Sequence, residues 1–85
     1  MTEDEIIDKA EALPERFADR LTENALWSVR QMRGGGEYGG LAIGLAAALA
    51  AHQTPVTPGE RDELRALLEA TRMSTDPIEQ LNVQA

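Results

Sequence analysis

The chain has 85 residues and no cysteine, and its fifteen acidic side chains outweigh eight basic ones for a net charge of −7. That length fits one domain, which buries only roughly 60–65% of the surface of its unfolded chain and is therefore marginally stable. The missing cysteines exclude disulfides, thiolate metal sites and a cysteine nucleophile. The acidic balance repels nucleic acid and anionic lipid and attracts basic surfaces.

The N-terminal stretch MTEDEIIDKAEAL is acidic and has no apolar core, so it does not read as a signal peptide. Thr2 and Glu5 have capping-box spacing, and Ile6, Ile7, Ala10 and Leu13 then share one side of a helix. Pro14 stops that helix or opens the next. Phe17 and Leu21 continue an apolar stripe, and Thr22 is placed to cap a segment in which Leu26, Val29 and Met32 face inward and Trp27 flanks them. Pro14 to Arg33 reads as one bent helix or as two, with a break near Thr22–Asn24. Gly34, Gly35 and Gly36 end it, with Arg30 and Arg33 suited to its negative end. Glu37 then lies at the positive start of the next helix, where Tyr38, Leu41, Leu45 and Leu49 form a stripe. Thr54-Pro55 closes that helix. Thr57, Pro58 and Glu60 start the last one with a cap, a first-turn proline and a box glutamate, and Leu64, Leu67, Leu68 and Thr71 line its inner face. No segment carries the alternation of a strand. The expectation is an all-α, compact bundle of four to five short helices, as a single domain over residues 1–76, with 77–85 as a C-terminal tail. The core is expected from Ile6, Ile7, Leu13, Phe17, Leu21, Leu26, Val29, Leu41, Leu45, Leu49, Leu64, Leu67 and Leu68.

The stretch RGGGEYGG invites a phosphate-loop reading, but no strand precedes it, no lysine follows, and Glu37 sits where a phosphate would. His52 is the sole histidine, near the end of the Ala-rich helix, and Ser28, Ser74 and Thr75 have no acid–histidine set at recognisable spacing. Glu3, Asp4 and Asp8 form no EF-hand pattern. The residues thus nominate no catalytic, cofactor-binding or metal-binding group, and three scattered aromatics make no nucleic-acid platform.

From Tyr38 to Gly59 no residue carries a fixed charge. The longest apolar run is short of the ~20 residues needed to span a bilayer, so no membrane role and a cytoplasmic protein are expected. Gly40, Gly44, Ala48 and Ala51 run down a second side of the Ala-rich helix. Such small residues let another backbone come close. Either the helix is central, with its own chain on both sides, or that side docks a partner or a second copy.

The segment EYGGLAIGLAAALAAHQTPVTPGERDELRALLEATRM resembles the MafI-type immunity proteins, small helical proteins that neutralise a cognate bacterial polymorphic toxin. The resemblance rests on Gly36-Glu37-Tyr38, Leu41-Ala42-Ile43, Pro55-Val56-Thr57, Glu60 and Met73 in that order, over about half of the chain. Gly44 departs from it, standing where the family usually carries an acid. The resemblance implies binding without catalysis, with a toxin domain, a nuclease in many such systems, as partner. Charge on Glu3, Asp4, Asp8 and Glu11 would steer the encounter. Trp27 and Tyr38 would anchor it, with Gly44 and Ala48 on the small-residue side as further contacts. These roles come from residue chemistry, since family contacts vary with the toxin. The alternatives are a helical interaction or oligomerisation module, including a homodimer through the Ala/Gly-rich helix, and a small enzyme subunit or regulator.

Overall fold

The computed structural model describes all 85 residues. Thr2 caps α1 (Glu3–Arg16): its hydroxyl accepts the Glu5 amide, and the Glu5 carboxylate accepts the Thr2 N–H. Pro14 neither stops α1 nor starts a new helix, as had been expected, but lies inside it. Only the i→i−4 bond to the Ala10 carbonyl is lost so near the end. The buried proline ring packs into the core, and the Phe17 amide still reaches Leu13 O at 3.1 Å. A short 3-10 turn (Ala18–Arg20) follows, and the Thr22 hydroxyl caps α2 (Glu23–Gly34) by accepting from the Ala25 amide at 3.2 Å. The region therefore holds two helices, with the break where Thr22 places it.

Gly36, at φ +72°, closes α2 in the left-handed region. The Glu37 amide then bonds back to Met32 O at 2.8 Å and the Gly36 amide to Arg33 O, a Schellman closure. The same closure ends α3 (Tyr38–Ala51) at Gln53 (φ 49°) and α4 (Pro58–Ala70) at Arg72 (φ 59°), two residues that bear side chains. Thr57 and Glu60 form the expected box at the start of α4.

α3 is the central element: it touches α1, α2, α4 and the short α5 (Asp76–Glu79). That is why it has no polar back. Leu41, Ala42, Leu45, Ala46, Leu49 and Ala50 are buried, and only Ala47 and Ala51 are exposed. Its small-residue side is covered by its own chain only at Gly40 and Gly44, whereas Ala48 is half-buried and Ala51 exposed. Met32 of α2 lies over Gly40 and Gly44, and Met73 and Thr71 press on Gly39.

The C-terminal residues are not a tail. Ile78 and Leu81 are buried in the core. β2 (Asn82–Val83) pairs in parallel with β1 (Pro55–Val56), Val83 opposite Val56, and the Gln84 amide donates to Val56 O at 2.8 Å. Side chains add to the closure: Gln53 Nε2 donates to Gln80 O, and Asn82 Nδ2 donates to Gln53 O. Strands were not expected, because two residues are too short to show an alternation. Val56, Ile78 and Leu81 thus join the core, whereas Ile6, Leu21 and Leu26 flank it half-buried and Ile7 is also half-buried.

Candidate functional site

The surface is organised by how the chain spends its cations. Seven of the eight basic side chains are in ion pairs, and only four carboxylates, Glu15, Glu60, Asp62 and Glu63, serve as their partners. Arg30 and Arg33 of α2 both reach Glu15 of α1, so they tie two helices together rather than merely facing the α2 terminus. The hydrogen bond from Arg30 holds the Glu15 carboxyl below its usual range, aided by Arg33. Lys9 and Arg16 share Glu63 across the α1–α4 contact. Arg72 is the one cation without an acidic partner. The other eleven side-chain carboxylates face no cation within ion-pair distance.

Five of these free carboxylates lie toward one end. The pairing of Arg30 with Glu15, and of Arg33 with Glu15 and the Glu11 carbonyl, makes α1 and α2 antiparallel. The tight loop at Gly36 brings the start of α3 to the end of α2. Gly39 against Met73 brings the end of α4 there too. The N-terminal half of α1 borders this end, and Glu3, Asp4, Asp8, Glu11 and Glu37 are all exposed there. Tyr38 joins the group: its hydroxyl donates to Glu11 Oε2 at 2.9 Å. That hydrogen bond to a carboxylate stabilises the protonated phenol and raises its pKa.

The remaining expected contacts lie elsewhere. Trp27 is 65% exposed, on the outward stripe of α2, instead of flanking the inward residues. By the antiparallel register it stands on the order of 15 Å along the helix axis from Asp8. Trp27 and the acidic end are therefore separate features. Gly44 is partly covered by Met32. Ala48 lies in an open cleft of about 420 Å3 with Asp19, Leu21, Thr22, His52 and Thr54. His52 is exposed at the end of α3. No group of three or more His, Asp or Glu side chains is arranged to hold a metal ion, and no helix is long and apolar enough to cross a membrane. No protein-family model, curated protein or solved structure matches the chain.

The sequence reading missed the pairing of Arg20 with Glu60. Arg20 Nη1 and Nη2 donate to Glu60 Oε1 and Oε2 at 2.8 and 2.7 Å. These bonds, with the Thr57 amide, lower the Glu60 carboxyl to about 2. Glu60 was recognisable as a box residue. Nothing local marks a partner 40 positions away.

Proposed function

We propose that the protein is a binder without catalytic activity that covers a basic protein surface, acting as an immunity protein of the MafI type toward a cognate toxin domain. The observation that carries this reading is the sequestration of cations. With seven of eight consumed by internal pairs, the excess negative charge points outward, mostly without local compensation. A field of that kind raises the encounter rate with a basic partner. Glu3, Asp4, Asp8 and Glu11 supply it on α1, and Tyr38 beside Glu11 offers a ring and a hydroxyl at the same end. Trp27, a large exposed aromatic on a rigid helix, is a second anchor. On this reading the protein works in the cytoplasm of the producing cell. Self-association through the Ala/Gly side of α3 has less support, because Met32 already covers its Gly40 and Gly44 part.

Co-expression tests the reading. A toxin domain encoded beside this protein should kill cells that lack it and spare cells that make it. Equal killing rejects immunity to that toxin. Once a partner is in hand, replacing Glu3, Asp4 and Asp8 by lysine should slow association about tenfold at low salt. Added salt should erase the difference.

A further inference from the structure

The cleft between the 3-10 turn and the end of α3 is not used by the binding surface proposed above, and its chemistry is specific. Its volume is about 420 Å3, enough for one long side chain, and its apolar lining is Leu21 and Ala48. Asp19 lines it and has neither an ion-pair partner nor a hydrogen bond. Arg20 also lines it, but its guanidinium is committed to both oxygens of Glu60 and stacks on the Phe17 ring at 4.3 Å. Arg20 is paired with Glu60 and also feels the Asp19 charge, so the three side chains together leave one net negative charge at the cleft. The cleft also lies at the C-terminal end of α3, where the helix dipole is negative. Thr54 and His52 add polar groups.

We infer that this cleft is a binding site for a cationic side chain, arginine or lysine, presented by a partner protein. The aliphatic stem would lie on Leu21 and Ala48 and the charged head against Asp19. This inference does not depend on the partner being a toxin.

The test is titration of the 15N-labelled full chain with N-acetylarginine methylamide at low salt, alongside N-acetylglutamine methylamide and inorganic phosphate. Saturable shifts of the Leu21, Ala48, His52 and Thr54 amides are expected with the arginine compound alone. Asp19→Asn should weaken that binding about fivefold. Ala48→Leu, which fills the floor, should abolish it while the helical circular dichroism stays unchanged. If Ala48→Leu does not fold, Asp19→Asn decides. Absence of saturation, equal shifts with the glutamine compound, a response to phosphate at the same amides, or wild-type affinity in Asp19→Asn would each overturn the proposal.

Discussion

Arg20 grips Glu60 through both of its terminal nitrogens, at 2.8 and 2.7 Å, while its guanidinium lies 4.3 Å from the centre of the Phe17 ring. The same carboxylate accepts the Thr57 amide at 2.9 Å, so one side chain caps α4 and fastens it to the turn after α1. Its depressed pKa, about 2, fixes the sign of the pH dependence. Unfolded, the group titrates near 4.5. The stabilisation is therefore complete above that value and is lost as pH falls toward 2. Urea midpoints of the wild type should decline across that window more steeply than those of Glu60→Gln. At neutral pH, Arg20→Ala should destabilise by about 1–2 kcal/mol, because Glu60 keeps its partial burial without its partner.

Tyr38 is the sole tyrosine, so its ultraviolet titration reports one group. Its phenol should ionise above the ordinary value of 10.0, because the hydrogen bond to Glu11 favours the protonated form. Glu11→Gln should bring the midpoint back down. An unchanged midpoint would remove the Glu11–Tyr38 contact from the acidic end.

Two glycines of α3 should respond in opposite ways to the same change. A Cβ at Gly44 would meet only the flexible tip of Met32, Cε at 3.5 Å. Gly44→Ala should therefore stabilise by about 0.5–1 kcal/mol through helix propensity. A Cβ at Gly39 would stand 3.1 Å from Met73 Cγ and 3.3 Å from Thr71 Cβ, atoms close to a fixed backbone. Gly39→Ala should destabilise. Thermal unfolding of both variants checks the pair.

Arg72 ends α4 at φ 59°, and its guanidinium makes no ion pair. Arg72→Gly should raise stability by up to ~1 kcal/mol, since glycine takes that conformation without the Cβ penalty. Denaturant unfolding would show a higher midpoint at unchanged slope.

The C-terminal segment offers the largest effect. Ile78 is 3% exposed and belongs to the main core. Ile78→Ala should cost about 2–4 kcal/mol, a heavy loss for a domain of this size. Ending the chain after Asp76 should cost more, because Leu81 and the β1–β2 pairing go too. A truncated chain as stable as the full one would mean that this segment contributes nothing.

What was legible in the sequence was local physics. Thr2 with Glu5 and Thr57 with Glu60 announced two helix starts, Thr22 a third, and the glycines after Arg33 a stop. The apolar spacing named most of the core. Each of these depends on residues within a turn or two of one another. The tertiary structure decided the rest. It placed α3 at the centre and laid Met32 along its small-residue side, which left Gly44 half-covered. It joined Arg20 to Glu60 and Tyr38 to Glu11, and folded Ile78 and Leu81 back under β1. The acidic run on α1 was already visible in the sequence; the fold added Tyr38 to it through the bond to Glu11. Contacts between residues far apart in the chain exist only once the helices have packed, so no spacing in the sequence encodes them.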